Sequence, residues 1–203
     1  MKKIKFKGET LTRTKVSNNI LKIFDLSDSE DRFDWYSDAH YFCIGLANSY
    51  GLKVSTVAGI VAALSPLKTW EQNKKMAISL IKSGTCGHIG SFIAKANKIF
   101  ENDYSNTDEK ILEVLSGQKI CAFYLNIMYP NSAQNITIDR HALSISLGHW
   151  ITEEEYRSMT PNQYAFFSQC FVIAAAKRNI HPLLMQSSTW VVWRKIKTNY
   201  KKK

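Results

Sequence analysis

The sequence predicts an all-α fold, and three observations carry that prediction. Apolar residues recur every three to four positions, capping boxes open helices at several defined points, and no segment reads as a convincing strand. Taken in order, Ser27-Asp28-Ser29-Glu30 has the form of a capping box and predicts a helix running to about Tyr50, stopped by Gly51. Phe33, Tyr36, His40, Cys43, Ala47 and Tyr50 form its stripe. Val57 to Leu64 is wholly apolar and ends at Ser65-Pro66, the pattern of a buried central helix. Ser65 to Lys68 is then a short exposed loop, and Thr69-Trp70-Glu71-Gln72 caps the next helix, which carries Asn73 to Ile81. A helix follows over Ile89 to Phe100. Thr107 caps Asp108 to Leu115, Gly117 makes a turn, and Gln118 to Met128 runs to Pro130, so that 108–128 is a helical hairpin. Thr152 to Glu155 and Thr160-Pro161-Asn162-Gln163 are two more capping boxes, the second with proline at the favoured first position. His181-Pro182 opens the last helix, which carries Gln186, Trp190 and Trp193.

Composition limits the function classes. A chain of 203 residues with 45% hydrophobic and 12% aromatic content can bury a sizeable core, as one domain or as two small lobes sharing one. The net charge of +10 favours a polyanionic partner through phosphate neutralisation and counterion release. Much of the excess sits in the termini, at Lys2, Lys3, Lys5 and Lys7 and at Arg194, Lys195, Lys197 and Lys201 to Lys203, where lysines also simply solvate chain ends. Cys43, Cys86, Cys121 and Cys170 are scattered without a paired spacing, which argues against zinc, iron–sulfur ligation or a disulfide framework and for a reduced compartment. No apolar run reaches the length of a membrane span, and Met1 to Lys7 has no hydrophobic signal core behind its charges. A protein of the cytoplasm or nucleoid, with no metal or organic cofactor, is the expectation.

The order of parts resembles the helix-hairpin-helix DNA glycosylases of the endonuclease III type. The matches run over roughly residues 55 to 145. Ala63-Leu64-Ser65-Pro66-Leu67-Lys68-Thr69 is similar to the family's leucine-serine loop that probes the duplex, and Ala94-Lys95-Ala96 to the lysine-alanine step before the hairpin. Leu115-Ser116-Gly117-Gln118-Lys119 keeps the last glycine and the lysine of the hairpin motif. Ile138-Asp139-Arg140-His141 matches the family's valine-aspartate step with its following histidine. Where the family has a proline and its first hairpin glycine, this chain has Val114 and Leu115, and the iron–sulfur cysteines of many members are absent.

The resemblance implies a two-lobed glycosylase-like unit over 1–203. One lobe spans about 55–130 with the hairpin at 108–128, and the other about 10–52 plus 131–200. It implies a DNA base-excision enzyme that acts as a monomer on duplex DNA with a flipped base, with AP lyase activity where an amine is the nucleophile. Asp139 would stabilise the positive charge that builds on the sugar as the glycosidic bond breaks, and would orient or activate the nucleophile. Lys119, twenty residues upstream, would attack the anomeric carbon, for which its amine must be unprotonated. Ser65, Leu67, Lys68, Gly117, Gln118 and His141 would contact DNA, Leu67 or Lys68 filling the gap left by the extruded nucleotide. Tyr36, His40, Gln186 and Trp190 are candidates for the base pocket.

Each residue has a plainer reading. Asp139 is also an ordinary N-cap, Lys119 a solvated helix residue or phosphate contact, Tyr36 and His40 stripe residues, Gln186 a solvated amide, and Trp190 a packing residue. Two other functions fit the same residues: a non-catalytic DNA-binding module in which the hairpin only grips phosphate, and a phage enzyme that modifies thymine-derived bases by group transfer.

Overall fold

The computed structural model describes residues 2–200, with side chains through residue 196; Lys201 to Lys203 and the side chain of Lys197, counted above among the terminal charges, lie outside them. The fold is all-α apart from one small hairpin of strands. The elements are β1 (Lys3–Phe6), β2 (Glu9–Thr12), α1 (Arg13–Phe24), α2 (Trp35–Tyr50), α3 (Val54–Leu64), α4 (Trp70–Ser83), α5 (Gly90–Glu101), α6 (Asp108–Leu115), α7 (Gln118–Met128), α8 (Arg140–Leu147), α9 (Glu153–Arg157), α10 (Pro161–Arg178) and α11 (Pro182–Tyr200). The chain divides into two units, residues 1–35 with 131–203 and residues 36–130.

The second unit is built around α3. Thr56 to Leu64 are all buried, and α4, α5, α6 and α7 pack on them. Gly59 lets two of those helices come close: a Cβ there would sit 3.0 Å from Ile111 Cγ2 and 3.1 Å from Ile99 Cγ2. Buried amides close the polar gaps. Asn73 Nδ2 donates to Val61 O at 3.0 Å, and Asn106 Nδ2 donates to Thr56 Oγ1 and Ile99 O, both at 2.8 Å. The capping box on α4 forms as the sequence requires, Thr69 and Gln72 exchanging side-chain and backbone bonds. Its C-cap is Gly84, in the left-handed region at φ 72°.

In the first unit α1 packs against α8, α10 and α11. The β-hairpin covers one end of that core, with Phe6 4% exposed and its ring edge-on to Phe167 at 5.7 Å. Lys7 and Gly8 both adopt positive φ, 47° and 82°, as a two-residue turn between twisted strands requires. The capping boxes Thr152/Glu155 and Thr160/Gln163 both form, and Pro161 opens α10.

Three expectations are corrected. The N-terminal lysines do not fray but alternate along β1, with Ile4 and Phe6 between them, so strands exist where none was read. Ser27-Asp28-Ser29-Glu30 does not cap a helix. Ser27 Oγ donates backward to Phe24 O at 2.6 Å, and Asp31, 4% exposed, is drawn into an ion pair with Lys195 at 2.6 Å, so α2 begins only at Trp35. Finally, α2 groups with residues 54–130 rather than with the chain ends, because its stripe packs there: Tyr36 lies edge-on to Phe123, His40 Nδ1 bonds Ile127 O at 2.8 Å, and Phe42 meets Trp70.

Candidate functional site

Asp139 is the N-cap of α8, with extended backbone at φ −91° and ψ −178°. Its Oδ1 accepts from Ala142 N at 2.7 Å, the usual bond of a capping carboxylate. Its Oδ2 accepts from the indole Nε1–H of Trp190 on α11 at 3.0 Å, a bond that local capping does not supply. Each carboxylate oxygen therefore has one fixed donor and keeps further acceptor capacity for a substrate or a water.

The residues before Asp139 belong to no helix or strand, yet Ile136, Thr137 and Ile138 are at most 5% exposed. Buried backbone needs partners, and here side chains from α9, α10 and α11 provide them. The Tyr164 hydroxyl donates to Ile136 O and accepts from Ile138 N, both at 3.0 Å. Tyr156 donates to Ile138 O at 2.9 Å, and Gln186 Nε2 to Thr137 O at 3.4 Å. Burial, with the nearby charges of Asp139 and Glu153, pushes the Tyr156 phenol above its ordinary range, so its hydroxyl stays a donor. Gln186, a candidate base reader in the sequence, is 6% exposed and directs its amide at this segment.

Aromatic rings stand beside the carboxylate. His141 is edge-on to Trp190 at 6.0 Å and to Trp150 at 6.3 Å, and Trp150 is tilted against Trp193 at 4.2 Å. The Arg194 guanidinium lies over the Trp190 ring at 4.6 Å. Trp150 is 39% exposed, so the group reaches the surface. Sequence reasoning named Trp190 and His141 but missed Trp150, Tyr156 and Tyr164. The last two sit next to capping boxes, which made them look like ordinary helix residues.

The remaining candidates lie in the unit 36–130. Lys119 is half-buried in the first turn of α7. Before it the chain makes a left-handed step at Ser116 (φ 52°) and Gly117 (φ 82°). Leu115 stands where the resembled motif has its first glycine; it still ends α6 and is 1% exposed, so the position is used for core packing and the turn falls on the next two residues. Lys95 Nζ ties the turn down, donating to Leu115 O at 2.7 Å and Ser116 Oγ at 2.6 Å. Asp108 accepts from the Tyr124 and Tyr129 hydroxyls, which joins α6 to α7. Gln118 is exposed.

Ser65 ends α3, its Oγ donating to Ala62 O at 2.9 Å. Leu67 is 82% exposed and holds φ 62°, an unfavourable conformation for a branched side chain. With Lys68, Cys86, Gly87, His88 and Ile89 it lines a shallow cleft of ≈ 400 Å³. Burial and the Lys68 charge both press the His88 imidazole toward its neutral form. Tyr36, 3% exposed and edge-on to Phe123 of α7, does not stand open toward a ligand, while His40 is half-buried with its Nδ1 bonded to Ile127 O. Tyr36, His40 and Lys119 thus belong to one unit and Asp139, His141, Gln186 and Trp190 to the other.

Among the described residues no helix is long and apolar enough to cross a membrane, and no group of three or more His, Cys, Asp or Glu side chains is placed to hold a metal ion. No curated protein and no solved structure matches the chain. A family model does match, over residues 2–197, and the chain belongs to that family, a family of unknown function, DUF7178.

Proposed function

We propose that the protein is a DNA base-excision glycosylase. The observation that carries the proposal is the Asp139 carboxylate, fixed at a helix start by the Ala142 N–H and the Trp190 indole N–H, with an aromatic group at its side. The ordered sequence resemblance supports it, as do the exposed Leu67 in its strained turn and the net charge of +10. In this reading DNA binds through its phosphates, the α6–α7 turn and Lys68 contributing, and Leu67 enters the stack as a base leaves it. As the glycosidic bond breaks, its electron pair leaves with the base and the sugar becomes cationic; the Asp139 carboxylate stabilises that charge. Lys119 then adds its amine lone pair to the anomeric carbon and loses a proton; the sugar ring opens as the nitrogen lone pair expels the ring oxygen, which takes up a proton, and the resulting imine permits strand cleavage by β-elimination. The protein acts as a monomer in a DNA-containing compartment.

The test is base release and borohydride trapping on duplexes carrying uracil, hydroxymethyluracil, oxidised pyrimidines, 8-oxoguanine or alkylated purines. Asp139→Asn is expected to lower single-turnover release by about a thousandfold, the scale of one electrostatic stabiliser, with DNA affinity unchanged. Lys119→Ala is expected to abolish the trapped adduct. Tight binding with no release from any substrate would overturn the proposal. One observation favours a second reading, a non-catalytic DNA-binding module: both Asp139 oxygens hold structural donors, as they would in a purely architectural cap.

A further inference from the structure

We infer that helix α11 is a ruler that sets the position of the Asp139 carboxylate, with Trp190 and Gln186 as its two positioning residues. The inference rests on the reading of Asp139 as the reacting carboxylate. Gln186 and Trp190 are four residues apart on α11, one turn on the same face, and so are separated by about 6 Å along the axis. Their acceptors, Thr137 O and the Asp139 side chain, are two residues apart, which in extended chain is about 6.6 Å. The two spacings match, so one helix face grips the approach segment at Thr137 and the functional group at Asp139. The Asp139 side chain has rotational freedom that its own cap bond only partly removes, because a carboxylate held by one oxygen still tilts about that contact. A second donor on the other oxygen, fixed to a different helix, removes the tilt.

Other contacts make the ruler stiff. Gln186 is 6% exposed, and the Tyr164 and Tyr156 hydroxyls clamp the backbone on either side of Thr137. Arg194 is one further turn along from Trp190 and lies over its indole, where its positive charge polarises the ring and strengthens the N–H as a donor. Donation by a neutral N–H to an ionised acceptor is among the stronger hydrogen bonds. Neither Trp190 nor Gln186 needs to touch substrate in this scheme. Both act through Asp139, which reassigns them from the base pocket that the sequence suggests.

The proposal is tested on the full chain by two measurements. The first is the ¹⁵N–¹H indole spectrum, in which the Trp190 resonance is identified by its loss in Trp190→Phe. Asp139→Ser keeps the helix cap but removes the second oxygen, and is expected to move the Trp190 resonance upfield while leaving those of Trp35 and Trp70 in place. The second is single-turnover base release on whichever duplex the wild type processes. Trp190→Phe is expected to slow release about tenfold to a hundredfold, the size of one hydrogen bond to a charged group, with DNA affinity unchanged. In an Asp139→Asn background Trp190→Phe is expected to have no further effect, because the two residues act as one unit. A Trp190 resonance that ignores Asp139→Ser, or a Trp190→Phe protein that releases base at the wild-type rate, would overturn the positioning role. A Trp190 resonance that shifts in Asp139→Ser, together with a wild type that releases no base, would instead remove the glycosylase reading, and the catalytic sense of the ruler with it, leaving the hydrogen bond as architecture.

Discussion

The two units solve the problem of burying backbone in different ways. In residues 36–130 the core is a continuous stretch of chain folded around α3, with an apolar close approach of Gly59 to the branched side chains of Ile99 and Ile111. In the unit made from both chain ends, the segment 136–138 is buried without regular structure, and side chains from three distant helices supply its hydrogen bonds. The first arrangement depends on shape, the second on polar satisfaction. The candidate carboxylate sits at the end of the second, where one lost hydroxyl removes two bonds at once.

That contrast can be broken directly. Tyr164→Phe deletes a hydroxyl that serves both Ile136 O and Ile138 N, and leaves two buried backbone groups short of a partner. It is expected to cost about 2 to 3 kcal/mol of stability, measured by urea unfolding, and to disorder Asp139 along with its segment. A cost under about 0.5 kcal/mol would show that water replaces the hydroxyl and that the clamp is not what holds the segment.

Gly59→Ala tests the apolar counterpart. The added methyl meets Ile111 and Ile99, whose β-branches leave them little rotamer freedom, so overpacking outweighs the gain in helix propensity. The expected net loss is about 1 kcal/mol. Ile99→Val in the same chain should recover part of it by removing Ile99 Cδ1, which lies 3.4 Å from the new methyl. Thermal unfolding of the single and double variants checks both statements.

The smallest effect concerns the surface of the first unit. Arg178 grips Asp25 with two bonds, at 2.9 Å and 2.6 Å, and this hydrogen bonding holds the Asp25 carboxyl below its usual 3.8, against the opposing effect of burial. A depressed carboxyl stabilises the folded state above its unfolded value, and that contribution fades as pH falls through the lowered one. Both side chains are more than a third exposed, so Asp25→Asn is expected to cost no more than about 1 kcal/mol at pH 7 and almost nothing at pH 2. Parallel urea titrations at the two pH values would expose an error in sign.

Much of this fold is written locally. Thr69 with Gln72, Thr152 with Glu155, and Thr160 with Gln163 each satisfy their own first turn, so these helix starts follow from three or four adjacent residues. The unbroken apolar run into Leu64 reads as a buried central helix, and α3 is one, with Thr56 to Leu64 all buried. The Ser27 box shows where such reading stops: the same pattern yields no helix, because Asp31 is recruited by Lys195 from the far end of the chain. The β-hairpin shows the reverse, since alternation in β1 is hidden by lysines that also look like a solvated end.

For the candidate site, the sequence alone determined that Asp139 would be an N-cap, that a glycine turn would join α6 to α7, and that Leu67 would lie in an exposed loop. All three depend on neighbours within a few residues. Only the tertiary structure decided that Trp190 and Gln186 grip the Asp139 segment, that Leu115 packs in the core in place of a turn glycine, and that Tyr36 and His40 are held in helix packing. The physical reason is range. Capping and turn chemistry are settled by bonds the chain makes with itself nearby, whereas a donor fifty-one positions away becomes a partner only when packing has set which faces meet.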